Sequence, residues 1–228
     1  MADIWVGVNG ADEALRQVNA EMLGGARALA DQAGATVVAI VWGASAAGHA
    51  KALASWGADR VVVVESEAAP APEAVARTLA RLAAESAPAV VLLADGAESR
   101  VAAPLLAEAL DAPLFSDVVD IEAGDEVVFT RLPYTAKVIE RATAAAPTVV
   151  ATVRPKALPV PEADASRTAE VVAAPADAAD LARIVQSVAR AASERVDLAE
   201  ADIVVAGGRG CKGPEGFVVI ESLADALG

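Results

Sequence analysis

Short apolar runs alternate with longer amphipathic stretches through the first half of the chain. The runs are rich in Val and Ile, which predicts strands buried on both faces of a sheet. The stretches between them carry apolar residues at helical spacing. The predicted strands are 4–8, 36–41, 60–64 and 90–93, and the predicted helices are 11–33, 45–56, 70–88 and 99–110.

Strands and helices follow one another singly in this part of the chain. A strand that is followed by a helix and then by another strand forms a right-handed crossover, which makes the two strands parallel. Gly34 and Gly57 are placed to end the first two helices. We therefore predict an α/β fold with three layers around a mostly parallel sheet.

The alternation of strands and helices ends after Pro113. Short strand-like runs are separated there by turns, which predicts an antiparallel elaboration of the sheet. Residues 154–179 are rich in Pro, Ala and acidic residues and predict a surface strand or loop. A helix over 181–192 and a linker over 193–201 follow. The four predicted strands of the elaboration are 115–121, 126–132, 137–141 and 148–153.

The last 28 residues, 201–228, form a unit of one strand, one glycine loop and one helix. The apolar run 203–205 predicts a buried parallel strand. The helix is predicted to bury one face, which carries Phe217, Ile220, Ala224 and Leu227. The loop glycines are expected to supply positive φ angles and to let a ligand approach the backbone. These are Gly207, Gly208, Gly210, Gly213 and Gly216.

Arg209 and Lys212 stand within that loop, immediately before the predicted helix. The free N–H groups at a helix N-terminus attract anions, and two fixed positive charges add to that attraction. The loop is therefore a candidate phosphate site. Cys211 lies at the predicted helix N-terminus beside Lys212, a setting typical of reactive cysteines, although a neutral filler is the favoured interpretation.

Composition and charge narrow the classes of function. The chain is 55% hydrophobic and 3% aromatic, so Ala, Val and Leu must fill a globular core. A net charge of −14 opposes binding to nucleic acid or to an anionic membrane. One cysteine fits a reducing compartment, and no apolar run reaches the length of a membrane span. We expect a cytoplasmic protein with no targeting segment and no direct membrane insertion.

Few other residues are candidates for chemistry. His49 has no nucleophile near it in the sequence and is interpreted as a solvated or partly packed side chain. Asp95, Glu98 and Arg100 follow the strand 90–93, at the edge where open α/β sheets bind ligands. A solvated helix cap around Ser99 is the favoured alternative for them.

Three further carboxylates alternate with apolar residues: Asp117, Asp120 and Glu122. That alternation predicts the wet face of a strand instead of a metal cluster. The common zinc, hydrolase and P-loop motifs do not occur in the sequence. No catalytic or metal-binding residue is therefore predicted.

The string I-V-V-A-G-G-R-G-C-K-G-P-E-G-F, with L-A-D-A-L-G after it, resembles the entrance to the FAD domain of electron transfer flavoprotein alpha subunits. Earlier strings resemble the same family, so that the likeness covers essentially the whole chain. They are R-Q-V-N-A-E-M-L-G-G-A-R-A-L-A-D, A-S-W-G-A-D-R-V-V-V-V, S-D-V-V-D-I-E, L-P-Y-T-A-K and T-V-V-A-T-V-R-P.

The resemblance implies a domain organisation and a cofactor site. Residues 1–194 would form an N-terminal α/β domain that resembles adenine-nucleotide hydrolases but binds no nucleotide. Residues 195–228 would be a linker and the start of an incomplete, Rossmann-like FAD domain. Arg209 would contact FAD, and the residues around it would share in binding. The predicted cofactor-binding residues are Arg209, Gly207, Gly208, Gly210 and Lys212.

The resemblance also implies an electron carrier with no substrate of its own. Its expected partners are a beta subunit, acyl-CoA or other dehydrogenases of fatty acid beta-oxidation, and a membrane quinone oxidoreductase. AMP, if bound at all, is expected in the beta subunit. The apolar run 148–153 is expected to lie at the interface with that subunit.

An adenine-nucleotide-binding regulatory module is the alternative. A nucleotide-binding domain of that kind has a glycine-rich loop after its first strand, whereas N-G-A-D-E follows Val8 here.

The family segments G-A-S-R and Q-T-G, and an asparagine-bearing stretch, do not occur within residues 1–228. A chain that truly ends at Gly228 is expected to be colourless.

Overall fold

The computed structural model describes residues 2–10, 15–65, 70–124, 126–176, 198, 201 and 203–227. The chain divides into two compact units, Met1–Val188 and Ala189–Gly228. The predicted boundary between 194 and 195, the helix 181–192 and most of the linker 193–201 lie outside the described residues. No helix among the described residues has both the length and the apolar character needed to cross a bilayer.

The first unit alternates strands and helices before it turns to strands alone. The strands are β1 (Ile4–Asn9), β2 (Val37–Trp42), β3 (Arg60–Glu65), β4 (Val90–Ala94), β5 (Leu114–Glu122), β6 (Val128–Arg131), β7 (Glu140–Ala142), β8 (Val149–Val153) and β9 (Glu170–Pro175). The helices are α1 (Gln17–Ala33), α2 (Ala50–Ser55), α3 (Pro72–Ser86) and α4 (Ser99–Ala109), with a 3₁₀ turn at Ala46–His49. A short left-handed turn at Pro133–Ala136 joins β6 to β7.

The strands form one sheet in the order β7-β6-β5-β8-β4-β1-β2-β3-β9. Pairing is parallel from β5 through to β9 and antiparallel from β5 to β6 and from β6 to β7. The predicted α/β class, with a mostly parallel sheet and an antiparallel elaboration, is confirmed.

Two apolar layers cover the faces of the sheet, because its central strands are apolar on both sides. On one face, Met22 and Leu29 of α1 belong to the same cluster as Val6 of β1. On the other face, Leu79 of α3 and Leu106 of α4 pack with residues that include Trp5 and Leu93. Alanine fills much of the remaining space, which brings the helices close to the sheet despite the low aromatic content.

The first helix is shorter than its apolar pattern predicts. It begins at Gln17, and Leu15 and Arg16 before it are not helical, while 11–14 lie outside the described residues. Its end is as predicted, because Gly34 takes the left-handed conformation, with φ +63°, that a helix C-terminus favours. The predicted helix 45–56 is a 3₁₀ turn followed by α2.

The expectation that 148–153 belongs to the antiparallel elaboration is wrong. Strand β8 lies between β4 and β5 and pairs in parallel with both. All five of its residues are buried, so the run cannot lie at a subunit interface as predicted. The physical reason is that an apolar run indicates burial on both faces of a strand. A position in the interior of this sheet buries both faces.

Strand β9 lies within the segment that was predicted as surface strand or loop. It pairs in parallel with β3, from Arg60↔Glu170 to Glu65↔Pro175, and forms one edge of the sheet. Arg60 Nε lies 2.9 Å from Glu170 Oε2, and Arg81 Nη2 donates to the Pro175 carbonyl at 2.7 Å. Exposed Val171 and Val172 follow from its position at the edge.

Candidate functional site

The carboxyl ends of β1 and β4 meet where the order of strands reverses, the usual ligand site of an open α/β sheet. Asn9 Nδ2 donates to Glu98 Oε2 at 3.0 Å across this point. Arg100 Nη2 lies 2.8 Å from Asp95 Oδ2. Ser99 Oγ accepts from the Gly96 N–H at 2.9 Å and donates to the Gly96 carbonyl at 3.1 Å. Glu98 and Arg100 are exposed, but Ser99 and the Asp95 side chain are each only 8% exposed, so the predicted solvated helix cap is wrong for Ser99.

Neighbouring strands extend this group into a chain of hydrogen bonds. Thr152 Oγ1 donates to Asp95 Oδ1 at 3.2 Å and accepts from the Asp117 N–H at 2.9 Å. Arg154 binds both oxygens of the Asp117 carboxylate. Asp95 and Asp117 are each paired with a guanidinium, and Glu98 is bonded to the Asn9 amide, so the group has no excess positive charge for a phosphate. Sequence reasoning missed Thr152 and Arg154, because only the pairing of β8 with β4 and β5 brings them here.

The carboxylates predicted to lie on the wet face of a strand have separate partners. Asp117 pairs with Arg154, while Glu122 Oε2 lies 2.7 Å from Arg141 Nη2. Asp120 accepts from the Ile121 N–H. No group of three or more potential metal ligands occurs among the described residues.

His49 is buried, with 7% of its surface exposed, and so it is not the solvated side chain of one predicted alternative. It lies at the end of the 3₁₀ turn that precedes α2. A Cβ on Gly10 would lie 3.1 Å from its ring, which shows how closely the backbone after β1 approaches it. The histidine is therefore a packed side chain.

The second unit holds the predicted cofactor loop. A 3₁₀ turn, Arg209–Cys211, leads into α5 (Pro214–Leu227). Within the loop, Cys211 N–H donates to the Gly208 carbonyl at 2.9 Å and Lys212 N–H donates to the Arg209 carbonyl at 3.2 Å. The predicted site residues Gly207, Gly208, Arg209, Gly210 and Lys212 thus lie in one short turn before a helix.

The loop glycines leave space around the backbone and do not supply a left-handed conformation. None of the five has a positive φ, contrary to the prediction, and Lys212 takes that conformation instead, with φ +62°. A Cβ on Gly216 would lie 1.9 Å from the Cys211 carbonyl oxygen, and one on Gly207 would lie 2.8 Å from the Phe217 ring. These two glycines let the turn pack closely on α5.

Gly208 and Gly210 differ from those two. A Cβ on either would meet no atom within 4 Å, so packing within the described chain does not require glycine there. Gly208 is also extended, with φ −139° and ψ −164°, a conformation open to other residues. Among the described residues, the N–H groups of Gly208, Arg209 and Gly210 have no backbone acceptor outside the turn itself.

The loop is a suitable donor set for an anionic group. Arg209 and Lys212 are both exposed, and neither forms an ion pair with a described residue. The Glu215 carboxylate folds back toward Gly213, where an added Cβ would lie 2.8 Å from its oxygens. Two cations and one anion leave the loop with a net positive charge, unlike the chain as a whole. Open backbone at two glycines and free N–H donors fit the phosphate groups of FAD.

The predicted strand 203–205 is not formed. Ile203 and Val204 are more than half exposed and pair with no strand among the described residues. The predicted buried face of α5 is also open, since none of its residues is buried and Phe217 and Leu227 are 38% and 50% exposed. An apolar run becomes a strand only beside a partner strand, and unit Ala189–Gly228 supplies none among its described residues.

Comparison with known proteins identifies relatives along the whole chain. The family model of the electron transfer flavoprotein domain matches residues 4–179. A protein of Syntrophomonas wolfei that is named electron transfer flavoprotein subunit alpha is 36% identical over 231 residues, which cover 100% of this chain and 72% of that protein.

Two further relatives carry the same name. The Mycobacterium tuberculosis protein is 38% identical over 234 residues, covering 100% of this chain and 71% of that protein. The Bacillus subtilis protein is 31% identical over 220 residues, covering 95% of this chain and 67% of that protein. The similarity thus extends beyond the family-model match into the second unit.

Proposed function

The chain belongs to the electron transfer flavoprotein family, and we propose on that premise that it works as the alpha subunit of an electron carrier. The observation that carries the proposal is the whole-length similarity to proteins named subunit alpha. A subunit with that name implies a beta partner, so the working unit is a heterodimer. The alternative, an adenine-nucleotide-binding regulatory module, has no support from these relatives.

The carrier would take electrons from acyl-CoA or other dehydrogenases and deliver them to a membrane quinone oxidoreductase or another acceptor. FAD supplies the redox chemistry when it is bound. The chain's own residues would bind and orient the cofactor, and no catalytic residue or separate substrate is needed. AMP, if present in the heterodimer, would belong to the beta subunit.

We assign the FAD contact in this chain to the loop that holds Gly207, Gly208, Arg209, Gly210 and Lys212. Arg209 would form a charge-assisted bond with the cofactor, and the neighbouring N–H groups would donate to its phosphate oxygens. Support comes from the donors without acceptors and from the open space above Gly208 and Gly210.

Residues 1–194 would then be a scaffold domain that binds no nucleotide, and 195–228 would begin the FAD domain. Two observations support the first part of this proposal. A single glycine follows β1, and the side chains at the strand reversal point bond to one another. The apolar, exposed surface of α5 supports the second part, because such a helix needs a sheet to cover it.

The test is co-expression of the natural protein with the beta subunit of its own organism. We expect one heterodimer that carries flavin and whose flavin absorbance is bleached by a substrate-reduced acyl-CoA dehydrogenase. Two separate subunits without flavin would contradict the proposal. An alpha subunit that binds ATP or AMP by itself at micromolar concentration would favour the regulatory module.

A further inference from the structure

The turn between β6 and β7 carries the two most exposed large apolar side chains among the described residues of the first unit. Tyr134 is 78% exposed and Ile139 is 70% exposed, with Val138 beside it. Every residue from 134 to 139 is exposed. We call the set Tyr134, Lys137, Val138 and Ile139 the hairpin surface.

The backbone of the turn is in a conformation that non-glycine residues seldom adopt. Tyr134, Thr135 and Ala136 have φ of +55°, +58° and +59° in succession. Two long backbone bonds, Ala136 N–H to the Leu132 carbonyl and Lys137 N–H to the Tyr134 carbonyl, both 3.3 Å, accompany it. A strained backbone of this kind persists when surrounding contacts hold it in place. The side chains of these three residues are nevertheless exposed among the described residues.

The base of the hairpin is held firmly and its charges cancel. Arg131 pairs with Glu140 across the two strands, with Nη2 and Oε1 2.6 Å apart. Arg141 pairs with Glu122 on β5. Lys137 has no charged partner among the described residues, so a chain of net charge −14 presents an apolar surface here with one free positive charge.

We propose that the hairpin surface is a docking site for the beta subunit. The partner would place an apolar pocket over Tyr134 and Ile139 and a carboxylate opposite Lys137, which would complement its charge. Tyrosine is among the residues that most often dominate binding energy at the centre of an interface. This inference rests on the proposed function, because that function supplies the partner.

A second copy of this chain is a poorer occupant. It would bring a further net charge of −14 against a chain that already carries the same charge. The beta subunit is the partner that the proposed function implies, because the relatives are named subunit alpha. Its contact would also hold the strained turn in place.

The test compares affinity for the beta subunit among variants of the natural protein, measured by titration calorimetry. The double variant Tyr134→Ser/Ile139→Ser is expected to raise Kd about tenfold or more, and Lys137→Glu should raise it most at low salt. The matched control is Val101→Ser/Leu105→Ser on α4, where both side chains are 42% exposed; its Kd should equal that of the wild type. Circular dichroism checks that each variant is folded.

The outcomes separate the two proposals. If wild type binds the beta subunit and all variants bind it equally well, the docking site is wrong and the proposed function stands. If wild type does not bind the beta subunit, both fail. A homodimer of the wild-type chain that the double variant abolishes would show that the surface receives a second copy, which contradicts the occupant proposed here. Lys137→Glu keeps the test valid if the double variant does not fold, because it alters only an exposed side chain.

Discussion

Arg154 holds both oxygens of the Asp117 carboxylate, with Nε 2.8 Å from Oδ1 and Nη2 2.6 Å from Oδ2. Asp117 lies at the irregularity in the pairing of β5 with β8, where its backbone is left-handed with φ +60°. The ion pair therefore joins a strained residue to the end of the neighbouring strand.

The first prediction concerns pH. The hydrogen bonds from Arg154 lower the pKa of Asp117 below its ordinary value, against the opposing effect of partial burial. A lowered pKa in the folded state stabilises the fold fully above the unfolded value of about 3.9, and this contribution disappears as the pH falls through the folded pKa. Asp117→Asn should therefore lower the free energy of unfolding at pH 7 by up to about 1 kcal/mol, since the pair is partly exposed.

Urea unfolding at a series of pH values measures this effect. The difference between wild type and Asp117→Asn should shrink as the pH is lowered below about 4. Asparagine also tolerates a left-handed backbone, so the variant isolates the charge. The control is the same substitution in an Arg154→Ala background, where the pH-dependent difference should be lost. A difference of constant size in both backgrounds would contradict the role of the ion pair.

The second prediction concerns Asp59, which holds three elements together. Its carboxylate accepts from the Val37 N–H at 2.9 Å, from Arg27 Nη1 at 2.6 Å and from Arg167 Nη2 at 2.9 Å. Asp59→Ala should lower the free energy of unfolding by about 2–3 kcal/mol, because it leaves a backbone donor and two guanidiniums without their acceptor. Asp31→Ala, which removes only an exposed partner of Arg27, should cost less than about 1 kcal/mol. Equal losses in the two variants would contradict this account.

Continuous Val and Ile runs made most of the parallel sheet predictable from the sequence. The same runs do not indicate strand direction. The sequence therefore predicts β8 in the antiparallel elaboration, whereas it pairs in parallel with β4 and β5. Strand β9 was only loosely predicted, because Pro, Ala and acidic residues surround it. It is held by pairing with β3 and by the ion pair between Arg60 and Glu170, which are distant in sequence.

The third prediction concerns the left-handed turn after β6. A left-handed backbone costs a non-glycine residue about 1–2 kcal/mol, while glycine loses up to about 1 kcal/mol more than alanine on folding. Thr135→Gly should therefore stabilise the chain slightly and raise Tm by about 2 °C. Thr135→Ala, which keeps the steric cost, should give no increase. A lower Tm for the glycine variant would show that the turn is not strained in solution.

The glycine loop is a candidate site from the sequence alone, but its local packing was not predictable. The cluster of glycines and cations identified the loop, yet the sequence did not show which glycines are needed for packing. Gly216 is needed because the Cys211 carbonyl oxygen lies against it, and Gly208 is not. The strand 203–205 was predicted from its apolar residues, although a strand also requires a neighbour.

The fourth prediction separates folding of the loop from cofactor binding. Gly216→Ala should disrupt the turn, because its Cβ would overlap the Cys211 carbonyl. Gly208→Ala should leave the helical circular dichroism unchanged but lower the flavin content of the heterodimer, since its Cβ would enter the space assigned to FAD. Gly48→Ala also meets no atom within 4 Å and is the matched control in the first unit. Full flavin retention by Gly208→Ala would contradict a close approach of FAD to that backbone.

The most direct test of the central claim is the flavin absorbance, after extensive dialysis, of the heterodimer that the natural protein forms with its beta subunit, for wild type and Arg209→Ala. Lys51→Ala, an exposed cation of the first unit, is the control. Loss of one charge-assisted bond of about 1.5–3 kcal/mol should weaken FAD retention by about tenfold or more. We predict a yellow wild type, a yellow Lys51→Ala control and a largely colourless Arg209→Ala variant. Equal flavin retention by wild type and Arg209→Ala would contradict the assignment of Arg209, and with it the loop, to the cofactor.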